Sequence, residues 1–273
     1  MNLPINTQDI DPEVIIHKNE NNTEIIQCNQ RVKDNVYAIG YIKPYFATLD
    51  LEKQYEAAAD FLKKPYANFL DVFNYKALAQ EQPNISFRPF LYLAQQATWI
   101  FAINNVDTFR LLPRTMTQLD TLINACSWSQ NEAILIGLSE QKSTPNHYDS
   151  VALPVVMVDH IINTATIDAK SNSHNTSEGA LSRLKPNIGL SHLERASNYL
   201  VTHFKQINVN QKQEVVIETV SAVHFQDVLL QSERKIIEVI LSSPDGNRFA
   251  CNIDVTDAYP FVSSKLAPFA KSS

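Results

Sequence analysis

The sequence predicts an α+β fold of mixed α/β character, and three observations predict it. Strand-like segments rich in β-branched and aromatic residues alternate with helix-periodic segments through the first half of the chain. A capped amphipathic helix opens at Ser191, and an antiparallel hairpin with an Asp245-Gly246 turn follows it in the C-terminal part. At 273 residues, with 44% hydrophobic and 19% charged side chains, the chain is long enough to bury a substantial core as one large domain or two ordinary ones.

Residues 1–35 are rich in Asn, Gln, Asp and Glu, with apolar islands only at Val14-Ile15-Ile16 and Ile25-Ile26. They are expected to form a flexible N-terminal arm ahead of a domain spanning 36–273. Val36 to Lys43 is a strand by composition, with Pro44 expected to stop it. Asp50 is placed to cap a helix through about Lys64, with Leu51, Tyr55, Ala58 and Leu62 on one face. A second helix is expected from Pro89 to Ile103; its apolar residues nearly encircle the C-terminal end, including Trp99 and Ile100, as in a buried helix. Thr108–Leu112 reads as a strand. Thr115 caps a further helix whose Met116, Leu119, Leu122, Ile123 and Cys126 recur at helical spacing. Ala133–Leu138 is a short apolar run of the fully buried kind.

Residues 168–179 are polar and nearly free of apolar side chains, so they read as a long surface loop or a sub-domain boundary. Ser191 and Glu194 then form a capping box for a helix striped by Leu193, Ala196, Leu200, Phe204 and Ile207. A strand-like stretch from Glu214 to Phe225 precedes the hairpin. In that hairpin, Ile237, Val239 and Leu241 alternate on the first strand and Phe249, Cys251, Ile253 and Val255 on the return.

Composition excludes several functions. Net charge is −6 and no basic run is interleaved with aromatics, so nucleic acid is not an expected partner. No apolar stretch approaches the ~20 residues of a membrane span. The N-terminus lacks the basic and apolar segments of a signal peptide, so a cytoplasmic location is expected. The five glycines, Gly40, Gly137, Gly179, Gly189 and Gly246, are isolated and build no phosphate cradle, and no nucleotide cofactor is expected. Cys28, Cys126 and Cys251 form no C-x-x-C pair, and Cys251 reads as a core side chain. The seven histidines show no metal-ligand spacing, so no metal is expected.

One local constellation merits a role. Asp159 and His160 end an apolar run that begins at Leu153, and His147 and Asp149 precede it. The carboxyl end of a strand is a common place for function. His160 or His147 would act there as a general base, with Asp159 or Asp149 orienting it, in a hydrolase or transferase; the alternative is a small-molecule pocket or a plain strand end. Neighbouring strand residues point to opposite faces, which argues against a direct Asp159–His160 pair, and the nearby Tyr148 and Ser150 read as ordinary loop residues. Trp99 reads as a core anchor and Trp128 as a surface or interface residue. Tyr259, Phe261 and Phe269 either pack the chain end onto the core or form a subunit interface, since aromatics are favoured there.

The ending Asp254-Val255-Thr256-Asp257-Ala258-Tyr259-Pro260-Phe261-Val262-Ser263-Ser264-Lys265-Leu266 resembles that of the C-terminal domain of unknown function in the cyanobactin maturation proteins PatA and PatG. The likeness runs from Val36 onward. Val36–Phe46 with Glu52-Lys53, Trp99–Ile103 with Asp107–Pro113, Ala133–Gly137, and Pro154–Asp159 resemble successive units of that domain. Two departures stand out. Leu138–Asp149 lacks the family's Arg-Gly-Pro element and the cysteine after it, and a second family cysteine falls on Thr98. No thiol or metal role therefore transfers. No segment resembles the subtilisin-like protease that accompanies the domain in those proteins. The resemblance implies a non-catalytic accessory or scaffolding protein in ribosomal peptide natural-product biosynthesis, binding a modifying enzyme, a precursor peptide or itself as a homodimer.

Overall fold

The computed structural model describes residues 33–79, 84–129, 132–140, 153–168, 181, 184–208, 220–229 and 233–269. These residues belong to one compact unit of α+β class. The expected arm lies outside them except for its last three residues, as do the loop 169–179 and the first part of the 214–225 stretch.

Five strands close into a barrel in the order β1-β4-β5-β7-β6: β1 (Lys33–Tyr45), β4 (Thr98–Ile103), β5 (Val106–Leu112), β6 (Ala133–Glu140) and β7 (Val155–Asn163). All ladders are antiparallel except β5–β7, which is parallel. β1 makes closure possible by changing partner: Lys33–Gly40 pairs with β6 and Tyr41–Tyr45 with β4. Gly40 sits at that switch, where an added Cβ would lie 2.3 Å from the Ala102 carbonyl oxygen. Only glycine lets the two backbones approach so closely. The strand runs through Pro44 rather than stopping at it. Tyr41–Tyr45 is laddered to β4 alone, and the missing proline N–H is tolerated on an edge.

Helices α1 (Leu49–Phe61), α2 (Phe69–Phe73), α3 (Leu91–Gln96) and α4 (Met116–Ala125) and the small β2–β3 pair (Ala77–Leu78, Ser86–Phe87) belong to the first half of the chain. Thr48, not Asp50, caps α1: its hydroxyl accepts from the Leu51 N–H at 3.2 Å. Thr115 caps α4 as expected, accepting from Gln118 N at 3.2 Å. The helices share a core with one face of the barrel strands, where Phe46, Tyr55, Phe69, Phe73 and Trp99 form a chain of ring contacts. The helix expected over Pro89–Ile103 is divided. α3 ends at Gln96, and Thr98–Ile103 is β4, buried at every position. The all-round apolar pattern there belongs to a strand covered on both faces, as its β-branched and aromatic residues favour.

A second sheet, ordered β11-β10-β9-β8, is an antiparallel meander of β8 (Ala222–Val228), β9 (Ile236–Ser242), β10 (Arg248–Asp254) and β11 (Phe261–Pro268). The expected hairpin is its β9–β10 pair, with Cys251 fully buried opposite Val239. The short α5 (Thr164–Asp168) follows β7, and α6 (His192–Asn208) lies between the barrel and the meander. Its Ala196, Tyr199, Leu200, Phe204 and Ile207 share a core with Tyr37, Ile134 and Ile136 of the barrel and with Val239, Cys251 and Leu266 of the meander. Each large apolar side chain so buried contributes about 1.5–3 kcal/mol. The predicted capping box is present: Glu194 N donates to Ser191 Oγ at 3.2 Å, and Ser191 N to the Glu194 carboxylate at 3.0 Å.

A helix sandwiched this way needs partners for the polar groups it buries, and among the described residues Arg195 Nε is the buried side-chain atom that lacks one. Asn198 finds its partners by donating to the Tyr37 and Asn187 carbonyls at 2.8 and 3.1 Å, while Tyr37 N donates to Gly189 O at 3.0 Å. The 187–189 segment and Asn198 thereby cover backbone of β1 in the half that does not pair with β4. Gly189, at φ +63°, leaves no room for a side chain: an added Cβ would lie 2.0 Å from Tyr37 O. Arg195, 2% exposed, donates to the carbonyls of Val255 and Asp257. Burial lowers its guanidinium pKa to about 10, which leaves it charged at neutral pH. The same turn is held by Asp254, 1% exposed, which binds Arg234 at 2.5 Å and accepts from Thr256 N at 2.9 Å.

Arg195→Ala strands two carbonyls at about 1–3 kcal/mol each, so urea unfolding should show a loss of at least about 2 kcal/mol; a loss under about 1 kcal/mol would show that water replaces the guanidinium. Burial opposes the ionised form of Asp254, but bonds from Thr256 and Arg234 outweigh it and hold the pKa below the usual carboxylate range. A depressed folded-state pKa contributes stability that is present above the unfolded value, about 4, and is lost as pH falls further. Asp254→Asn should therefore be less stable at pH 7 and flatten the fall in stability below about pH 4; equal steepness in both proteins would assign that fall to other carboxylates.

Candidate functional site

A cavity of about 450 Å³ opens where α3 ends, β4 begins, β5 ends and α4 begins. The corner at Ala97 creates it. α3 stops there, and the chain turns directly into β4, so Thr98 and Trp99 form one wall against Arg110, Leu111 and Leu112 of β5. Trp99 is fixed by donating its indole N–H to Ala94 O at 3.0 Å. Pro113 ends β5, and Arg114 and Thr115 carry the chain into α4. Gln118 anchors that entry from both sides: its amide accepts from Arg114 N at 2.6 Å and donates to Val158 O of β7 at 2.8 Å. Gln95 reaches across towards Met116 Sδ at 3.7 Å.

The described lining is chemically mixed. Leu111, Leu112, Pro113, Met116 and Leu119 supply apolar surface, while Gln95, Gln96, Thr98 and Thr115 supply neutral hydrogen-bonding groups. Its charged members are both cationic, Arg110 and Arg114, in a chain of net charge −6. The volume lies in the ~300–1,000 Å³ range of small-ligand pockets.

Asp159 and His160, singled out from the sequence, are not among the residues lining this cavity. His147 and Asp149, with Tyr148 and Ser150, fall outside the described residues. Asp159 and His160 lie on β7. The Asp159 carboxylate takes the Arg114 guanidinium at 2.6 Å, whereas His160 is exposed opposite Ile136, beside a bulge in the β6–β7 ladder. Among the described residues no cluster of three His, Cys, Asp or Glu could hold a metal. Trp128 is half-buried against the first core rather than standing on the surface.

The aromatic tail makes contacts within the chain, and Tyr259 and Phe261 stay 41% and 39% exposed. Tyr259 meets the rings of Tyr37 and Tyr199, and its hydroxyl lies 3.3 Å from His203 Nε2. Phe261 lies under the Arg234 guanidinium, and Phe269 N donates to Arg248 O at 2.8 Å. His203 is itself buried and stacked on Tyr199 at 4.1 Å. This group of Tyr37, Tyr199, His203 and Tyr259 joins α6 to β1 and to the closing turn. Burial pushes the Tyr199 hydroxyl up to about 12, away from any acid–base work near neutrality.

The sequence reading missed the cavity because it ran one helix through Ala97. Arg110 and Arg114, either side of Pro113, both line the cavity, but nothing in their spacing alone brings them together.

Burial pushes both the Cys126 and Cys251 thiols up to about 12, so neither is a thiolate at neutral pH. A Cys28→Ser variant should accordingly resist a disulfide reagent at pH 8 until it is unfolded in urea; stoichiometric labelling of the native protein would refute this.

The family model described as the PatG domain matches residues 35–218. A solved structure described as a PatG domain of unknown function superposes with a TM-score of 0.59 at 15% identity, covering 87% of this chain and 99% of that one. No curated protein matches the chain.

Proposed function

The chain belongs to the PatG domain family, and from that premise we propose that it is a non-catalytic accessory protein of ribosomal peptide natural-product biosynthesis, of the cyanobactin kind, which holds a peptide in the pocket between α3 and α4. The observation that carries this reading is the chemistry of the pocket. A peptide presents amides, apolar side chains and charged ends, and the described lining offers Gln95, Gln96, Thr98 and Thr115 for the first, Leu112 and Met116 for the second, and Arg110 and Arg114 for the third. The walls are held in place before any ligand arrives: Trp99 is bonded to Ala94, and Arg114 and β7 to Gln118. Preorganised walls reduce the ordering cost of binding. The bound segment would come from a precursor peptide or from a modifying enzyme.

Gln95 is exposed at the pocket's edge and its side-chain contact is to Met116. Gln95→Trp should fill the mouth with less than about 0.5 kcal/mol change in stability, as expected for a surface position. Peptide recovered with the wild-type protein from its host should then be absent from the variant. Equal recovery by both proteins would place binding elsewhere.

A further inference from the structure

We propose that β8 pairs with β8 of a second copy of this chain, antiparallel about a two-fold axis at Gln226, so that the two meanders join into one continuous sheet. The pairing does not depend on the pocket. The barrel closes on itself, so among the described residues the long strand edges left open are those of β8 and β11. β11 is blunted in the ways that discourage edge pairing: it carries Lys265 and ends at Pro268, and its ladder with β10 shifts register on either side of Asn252. β8 has none of these devices. Ala222–Val228 holds no proline and no lysine, and its ladder with β9 runs from end to end without a shift. A regular strand with an open row of backbone N–H and C=O groups is a template for another strand.

The side chains argue for a second copy as the occupant. Val223 and Phe225 pack against the core that α6 shares. Leu229 continues their alternation just past the strand, yet it is 97% exposed. Antiparallel pairing about Gln226 sets Leu229 opposite Val223 of the other copy and His224 opposite Val228, and it brings the two Phe225 rings onto a diagonal. The strand thus supplies the apolar cover that its own end lacks. An axis at Phe225 would set Leu229 against Ser221, and one at Asp227 would face two carboxylates, which leaves Gln226 as the centre. α6 starts at the same end of the strand: burial lowers the His192 pKa, with Arg195 and Lys235 adding to this and Asp227 of β8 opposing it. Leu193 next to it is 42% exposed, a second open leucine at that end. One strand pair buries less than the ~1,200 Å² of a standard interface, so the association is reversible and depends on concentration. Each copy spends its one unblunted edge, which closes the assembly at a dimer.

The test is sedimentation velocity of the full-length chain from micromolar to near-millimolar concentration. The expected result is a monomer–dimer equilibrium with no larger species. Leu229→Glu, at a position too exposed to affect folding, should weaken dimerisation by about tenfold or more. Cysteine crosslinking then reads the register in a Cys28→Ser background. Gln226→Cys should give a disulfide-linked dimer under mild oxidation, because residue 226 faces its own copy across the axis. His224→Cys should not, since its two copies lie roughly 13 Å apart along the strands. A chain that stays monomeric throughout would overturn the proposal and leave the β8 edge to an extended segment of another protein. A dimer that Leu229→Glu does not weaken would place the interface elsewhere and overturn it equally. Crosslinking through residue 224 and not 226, or assembly beyond the dimer, would also refute the two-fold pairing at Gln226.

Discussion

Burying α6 between two sheets is the constraint on which the rest of the structure depends. The helix leaves Leu193 and Val201 exposed, at 42% and 37%, yet it carries Arg195, Asn198 and His203 at 5% exposure or less. Each is bonded to something specific, and each bond fixes a different part of the fold. Asn198 holds the 187–189 segment against β1, Arg195 holds the turn after β10, and His203 reaches Tyr259 in that same turn. The apolar stripe supplies most of the burial energy, but apolar packing is non-directional and would tolerate the helix rotated or shifted by a turn. The polar contacts select one arrangement. The missing room at Gly189 and the depressed ionisation of Asp254 follow from the same requirement that buried groups find partners.

Barrel closure places the pocket. Five strands can close only if β1 serves two neighbours, and its partner change at Gly40 leaves each half with a ladder on one side. The unladdered edge at Tyr37 is covered from the α6 side by the 187–189 segment. At the far half, β4 must begin directly after α3 in order to meet Tyr45, so there is no loop to fill the corner at Ala97. A short helix, an abrupt corner and a strand ending in proline leave a cavity whose walls are rigid elements. Such a site owes its shape to the fold and its selectivity to the few side chains that project into it.

Much of this was legible in the sequence, for physical reasons that differ between elements. The β9–β10 hairpin carries alternation and an Asp-Gly turn, both local signals, and was assigned correctly. So were the caps at Thr115 and Ser191, where a hydroxyl three residues before a free N–H suffices. The cap of α1 was misplaced by two residues because Thr48 and Asp50 are both competent and only the backbone conformation decides. Thr98–Ile103 was misread for a deeper reason: a strand buried on both faces shows no period of two, and an unbroken apolar run is equally compatible with a buried helix. Its sheet partners, Tyr41–Tyr45 and Val106–Leu111, are distant or not yet known when the segment is read alone. The candidate site went with it. Arg110 and Arg114 become neighbours in one cavity only once the chain is known to turn at Ala97, and the contact from Arg114 to Asp159 spans a strand order that no local pattern encodes.

The family match spans residues 35–218, so it covers the pocket and ends before the closing turn at 254–259. In that turn the carbonyls of Val255 and Asp257 accept from Arg195, the Asp254 carboxylate from Arg234 and the Thr256 hydroxyl from Lys235 N, while the Tyr259 hydroxyl lies beside His203 Nε2. The fold is shared at a TM-score of 0.59 with 15% identity. The chemistry of the pocket resides in side chains, and Thr98 occupies a position where the family resemblance places a cysteine. Kinship over residues 35–218 gives the architecture and leaves the function to be argued from the residues of this chain. Around the cavity those residues include two arginines, two glutamines and two threonines.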